Sequence, residues 1–432
     1  MATQAEPRLT GEEALAIVDP ANYVDWDSLL DRFDALRRKT PVVRVVNDEV
    51  HDPFWLVTSY DDVMRVSKDN KLFLNSPRSI TFSDKNSGAF VKSITGGDPN
   101  LVRSLVALDA PIHPQYRRLT QDWFMPKNLR KMEDEIRALA KVTVDRLVDA
   151  GGEADFVPLV SAPYPLHVVM QILGVPEADE QRMLFLTQQM FGGQDEDLNK
   201  SGMANMTPEQ VMQLVVGAVA DFEAYFAKLT QEKRANPTDD VASVIANAKV
   251  DGAHLSDRDM AGYYIILAAA GHDTTSASTA GAMLALARDP EQFARLKADR
   301  DLLPGIVEEA IRWTTPVQHF MRTAAEDTEL GGQKIAKDDW LMISYIAANH
   351  DESIFPEPRK FDASRSPNRH LSFGAGAHQC LGLHLARLEM KILFNELLDR
   401  IETLELAGEP KRAKSTFVGG LKTLPIRFSL SK

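Results

Sequence analysis

One cysteine, Cys380, stands in a chain of 432 residues, inside the string FGAGAHQCLG. The glycines at 374 and 376 carry no side chain, so the backbone there can come close to a flat or bulky group. A helix pattern opens near Leu381, and its unpaired amides and positive dipole end favour a thiolate just ahead of it. A sulfur so placed is a soft, anionic ligand suited to iron. Covalent haem attachment would need Cys-x-x-Cys-His, which one cysteine cannot supply, so any haem would be held by ligation and packing. Taken without partners, the same cysteine reads as a small buried apolar residue.

A second string, LAAAGHDTTSAS, breaks local rules inside an apolar helix pattern. Gly271 weakens the helix, and Thr274 can return its hydroxyl to the carbonyl of Ala270, four residues back. That bends the helix and opens a groove wide enough for dioxygen and water. Asp273 is an acid in an otherwise apolar run, where a functional site is expected. Elsewhere His113 and Arg117 share a helix face at i, i+4, and Glu309 and Arg312 can pair at i, i+3.

Together these strings resemble the cytochrome P-450 superfamily. FGAGAHQCLG matches Phe-x-x-Gly-x-His-x-Cys-x-Gly at Phe373, Gly376, His378, Cys380 and Gly382, with Gly374 also in place. The resemblance implies that Cys380 is the thiolate ligand of haem b and that Phe373 packs near the sulfur. It implies that His378, His113, Arg117 and Arg322 meet the haem propionates. Glu309, Arg312 and Arg365 would form a buried network bracing the cysteine loop. Ala270 and Gly271 would line the oxygen groove, with Asp273 and Thr274 delivering protons during O2 activation. His272 is not part of that assignment and reads as a salt-bridge or backbone partner.

The elements that must hold these residues read as mainly α with small β-sheets, in a single P-450 domain over residues 1–432. VVRVV and PFWLVTS (Val42–Val46 and Pro53–Ser59) form a hairpin pattern. Residues 76–97 lack periodicity and read as a long loop. Helix signals dominate from Ile112 to Asp289, ending in one long buried helix over DRDMAGYYIILAAAGHDTTSASTAGAMLALARD. A helix follows Cys380, and the last stretch, FVGGLKTLPIRFSL, reads as a hairpin.

Composition is that of a folded protein, 44% hydrophobic and 26% charged. A net charge of -13 argues against a nucleic-acid partner. Nothing in Met1–Pro20 resembles a signal peptide, and YYIILAAAG is too short to span a bilayer. A cytoplasmic monomer without membrane attachment is therefore expected.

The resemblance implies a monooxygenase that inserts one oxygen atom into a C–H bond of a small hydrophobic substrate. Electrons would come from NAD(P)H through a ferredoxin reductase and a ferredoxin, since the chain carries no flavin or nicotinamide fingerprint. Arg118, Lys127, Arg130, Lys131, Arg387 and Lys391 offer a basic docking patch. Phe82, Phe90, Val91, Met190, Phe191, Leu267, Ala270, Val317, Phe417 and Val418 are the candidate substrate contacts. FVKSITGG, YPLHVVMQILGVPE, AGHDTTS and FMRTA are similar to the subgroup with a terpineol-hydroxylating bacterial enzyme. That favours a monoterpenoid or alkyl-aromatic substrate over a larger aromatic hydrocarbon. A haem-thiolate sensor without turnover is the alternative from another class.

Overall fold

In a computed structural model, which describes residues 6–191, 194–197 and 207–431, a helical mass packs against a six-stranded sheet. The sheet runs in the order Arg8–Thr10, Val42–Val46, Phe54–Val57, Trp340–Ser344, His319–Ala324 and Phe73–Leu74. The expected hairpin is there, with Val43 opposite Leu56. Strand alternation sends neighbouring side chains to opposite faces. Met321 therefore joins the core with Trp340 and Met342, while Phe320 and Arg322 face a cavity on the helical side.

Two helices in line, Asp257–Ala270 and Asp273–Arg288, cross the middle of the molecule. The single long helix read from the sequence is thus interrupted at Gly271 and His272. The Ile112–Gln121 helix is fastened to the first of them. Tyr116 donates its hydroxyl to Asp259 at 2.8 Å, Tyr263 donates to the Tyr116 carbonyl at 3.1 Å, and Thr120 and Tyr263 share a 2.6 Å hydroxyl contact. A Cβ on Gly262 would lie 2.2 Å from the Arg103 carbonyl, so only glycine permits this approach.

Two further expectations differ from the structure. The stretch read as a loop over 76–97 contains a helix, Lys85–Thr95, capped by Asp84 and with no fully buried residue. Phe90, Val91 and Thr95 are half-buried along it. The C-terminal stretch is not one hairpin. Leu421–Thr423 pairs with Lys411–Arg412, while Pro425–Leu430 pairs with Ile401–Leu406 and Glu153–Asp155. No helix among the described residues is long and apolar enough to cross a membrane.

Candidate active site

Cys380 lies half-buried in the wall of the cavity between the bent helix pair and the Leu383–Arg400 helix. That helix begins two residues later than the sequence pattern suggests, with Gly382 as its N-cap. The loop before it is held by its own backbone: the Cys380 amide donates to the Phe373 carbonyl at 2.8 Å, and the Gly374 amide to Leu371 at 2.8 Å. Burial pushes the Cys380 thiol up, against the Gly382 amide and the Arg117 and Arg387 guanidiniums, which favour the thiolate. Gly374 and Gly376 have φ of +66° and +76°, and a Cβ on Gly376 would lie 2.9 Å from the Lys68 Cα and the Ser67 carbonyl. Gly376 seats the loop on the Tyr60–Lys68 helix, while Gly374 lines the cavity and Gly382 has open space beside it.

Behind the loop, Glu309 and Arg312 are both fully buried. Arg312 donates to the two Glu309 oxygens at 2.8 and 2.7 Å, and Arg365 Nε donates to the same pair at 3.0 and 3.1 Å. The link onward runs through Asn349, which the sequence reading missed. Its carbonyl accepts from Arg312 at 2.8 Å, and its side chain joins the Leu371 amide at 2.7 Å and Ser372 at 2.8 Å. Charge network and cysteine loop are therefore one hydrogen-bonded unit.

At one end of the cavity, four groups able to donate hydrogen bonds converge. His113 and His378 lie with ring centroids 4.0 Å apart, and both His378 nitrogens lack a hydrogen-bond partner. Burial, with the neighbouring cations, pulls His113 to about 4 and His378 to about 2. Burial also lowers Arg117 and Arg322. Neither arginine has a carboxylate within ion-pair distance among the described residues, and Arg322 donates only to the carbonyl of Met321. Buried donors without acceptors cost about 1–3 kcal/mol each, so this end of the cavity is built for anions.

On the opposite wall, Thr274 donates to the Ala270 carbonyl at 2.8 Å, as the sequence suggested. Ala270 is exposed to the cavity although it lies inside a core helix. A Cβ on Gly271 would lie 3.0 Å from the Val169 side chain, so glycine lets the bend press against the Pro163–Leu173 helix.

The family model for Cytochrome P450 matches residues 26–430 of this chain. The chain belongs to the cytochrome P450 family. It is 45% identical to cytochrome P450-terp from a Pseudomonas species, over 96% of this chain and 97% of that one. Linalool 8-monooxygenase of Pseudomonas putida is 32% identical, over 92% and 94% respectively. The crystal structure of CYP108D1 from Novosphingobium aromaticivorans has 64% sequence identity and a TM-score of 0.92. It covers 98% of this chain and 100% of that one.

As a cytochrome P450 the protein is an oxidoreductase that uses haem-thiolate chemistry and O2. The residues fit haem. Its two carboxylates would answer the orphaned His378 nitrogens and the unpaired arginines, and Cys380 faces the same space.

Among the candidate substrate contacts, Leu267, Ala270 and Val317 line the P450 cavity, joined by Phe320 and Ile266, which the sequence reading did not single out. The remaining candidates lie outside that lining. Phe82 packs in the sheet core, 5.8 Å from Phe54 and stacked at 6.3 Å on Trp340. Phe90 and Val91 are half-buried on the Lys85–Thr95 helix, and Met190 packs against the helical core. Phe417 sits 5.5 Å behind Phe320, and Val418 bridges to Val317, so both stand one layer back. The side chain of Phe191 lies outside the described residues. Of the basic residues, Arg118, Lys127, Arg130, Lys131 and Lys391 are exposed. Arg387 is committed elsewhere: it pairs with Glu308 at 2.5 Å and lies 4.6 Å over the Phe373 ring.

Glu389 also lines this cavity and is 2% exposed. It falls one turn after the buried Leu385 on the apolar face of its helix, a legible signal that the sequence reading passed over. Burial raises its carboxyl well above the usual value, against a hydrogen bond from Thr275. The folded state then keeps a proton that the unfolded chain releases near 4.5. Stability from this group is present below that pH and lost as pH rises towards the folded value. Glu389→Gln removes this dependence, so the variant's melting temperature relative to the parent is expected to rise steadily from pH 5 to pH 8. A constant difference would mean that Glu389 is ionised in the fold.

Proposed function

We propose that this cytochrome P450 hydroxylates a small, compact hydrocarbon skeleton, a monoterpenoid or an alkyl-substituted aromatic, with electrons delivered by a ferredoxin. The observation that carries the reading is the cavity itself. Cys380 faces it from one wall, the Ala270–Thr274 bend from the other, and His113, Arg117, Arg322 and His378 close one end.

In this reading Cys380 is the haem ligand, and His113, Arg117, Arg322 and His378 hold the two carboxylates. Haem, when bound, supplies O2 activation and oxygen insertion into the C–H bond. The protein supplies position and protons. Leu267, Val317 and Phe320 present apolar surface to a substrate and exclude water from it. Thr274 spends its hydroxyl hydrogen on Ala270, which leaves its oxygen free to accept a proton or hold a water. Asp273, one residue earlier and part-exposed, collects the proton and passes it on.

The names of two relatives, cytochrome P450-terp and linalool 8-monooxygenase, support a terpenoid. Exposed Arg118, Lys127, Arg130, Lys131 and Lys391 support an acidic partner, despite the net charge of -13. A spectral titration against monoterpenoids, alkylbenzenes and polycyclic aromatics tests the substrate class. A spin-state response to polycyclic aromatics alone would overturn it. Surrogate ferredoxin assays with NADH separate a monooxygenase from a sensor, which would bind without turnover.

Thr274→Ala tests the relay. Haem content and substrate affinity are expected to stay within about twofold, while most reducing equivalents leave as hydrogen peroxide rather than product. Parental product yield per NADH would remove Thr274 from proton delivery.

A further inference from the structure

We propose that His272 is a positioning residue that tethers one oxygen of the Asp273 carboxylate and keeps that acid at the helix gap between proton deliveries. The inference rests on the reading of Asp273 as the proton relay. It adds a partner that neither the motif nor the resemblance assigns.

His272 is one of the two residues where the paired helices are interrupted, with φ −87° and ψ −68°. It is 1% exposed, and neither ring nitrogen makes an aligned hydrogen bond. Burying an imidazole in that state is costly, and an apolar side chain of similar size would avoid the cost. A buried polar group left unsatisfied at such a position calls for a functional account. Asp273 supplies it: Nδ1 stands 3.0 Å from Oδ1 of Asp273, at ion-pair distance yet out of line for a hydrogen bond.

Asp273 has no other cationic partner. Among the described residues no lysine or arginine lies within ion-pair distance of it, and His272 is its only such neighbour. The carboxylate is 30% exposed, whereas the imidazole is sealed in. The two oxygens therefore differ. Oδ1 faces a buried nitrogen, and Oδ2 is free to take a proton from water. A small turn of the carboxylate would bring Oδ1 into line with Nδ1–H.

The cycle balances with one proton. A solvent proton reaches Oδ2 through water, the neutral acid loosens from the imidazole, and the acid passes one proton into the cavity through a water at Thr274, or through the Thr274 hydroxyl, which takes one proton as it gives one up. The restored carboxylate returns to Nδ1. His272 gains and loses nothing. An arginine in its place would hold the carboxylate in a bidentate grip and release it less readily.

His272→Leu, His272→Asn and Asp273→Asn holoenzymes, compared with the parent under one ferredoxin system, test this. Haem content, the carbon monoxide band and substrate affinity are expected to match the parent in all three. Asp273→Asn lowers kcat by about 100-fold. His272→Leu lowers it by about tenfold with an unchanged KM, and His272→Asn, which keeps a donor, recovers most of the loss. A crystal structure of His272→Leu is expected to have the Asp273 carboxylate turned away from the gap. Parental turnover in His272→Leu while Asp273→Asn is slow overturns the tether and leaves the relay intact. Parental turnover in Asp273→Asn overturns the relay itself. An Asp273 carboxylate unmoved in His272→Leu overturns the tether whatever the rates. Where the leucine variant fails to take up haem, His272→Phe against His272→Asn gives the same comparison.

Discussion

Cys380→Ser is expected to fold, to take up haem more weakly and to lose both turnover and the red-shifted carbon monoxide band of the reduced protein. The fold survives because the loop is held by backbone hydrogen bonds and by Asn349, none of which needs the sulfur. Haem uptake is weakened, not abolished, because the unpaired donors for its carboxylates remain. The band and turnover are lost because a hydroxyl cannot take the thiolate's place. Burial here disfavours any negative charge, and the Gly382 amide with Arg117 and Arg387 offsets that only in part, which a hydroxyl, far less acidic than a thiol, cannot overcome. A serine hydroxyl stays neutral and cannot push electron density toward bound oxygen as a thiolate does. An unshifted band with loss of activity supports the ligand assignment; an unchanged red-shifted band would end it. Circular dichroism separates these outcomes from loss of fold.

Much of the site was legible in the sequence because its chemistry is local. Thr274 reaches Ala270 within one helical turn, and the cysteine loop is a contiguous string. Glu309 and Arg312 are one turn apart, and Arg365 follows a short way along the chain. Features decided by distant packing were not legible. Asn349 looks like any polar residue at a helix end until Arg312, Leu371 and Ser372 are brought to it. Phe82 lies in a stretch without periodicity and could face any side; Trp340, more than 250 positions away, takes it into the sheet core. Phe417 and Val418 lie outside the cavity lining, next to Phe320 and Val317, which are part of it. Backbone pairing misled in the same way. Leu421–Thr423 and Pro425–Leu430 adjoin in sequence, but each finds its partner strand elsewhere.

Glu309→Gln tests whether the buried network braces the loop or merely fills space. Arg312 is fully buried and Arg365 nearly so, and both direct donors at one carboxylate. The Asp362 amide and Asn368 use the same two oxygens, at 3.0 Å each. An amide in its place keeps the shape but removes the charge, and turns one acceptor into a donor facing other donors. Breaking a buried ion pair on one side costs about 3–5 kcal/mol, because the remaining charge stays desolvated. Two guanidiniums share this carboxylate, so the upper part of that range is expected in denaturant titration. The loss should reach the cavity through a definite route, Arg312 to the Asn349 carbonyl and the Asn349 side chain to Leu371 and Ser372. Haem transfer to apomyoglobin is therefore expected to quicken, and the carbon monoxide band to move toward the non-thiolate position as the Cys380 loop loosens. Arg365→Lys keeps one charge but forfeits the forked contact, and an intermediate loss on both measures is expected. If the glutamine variant instead loses stability while holding haem as tightly as the parent, the network and the loop are energetically separate. The route through Asn349 then carries no function.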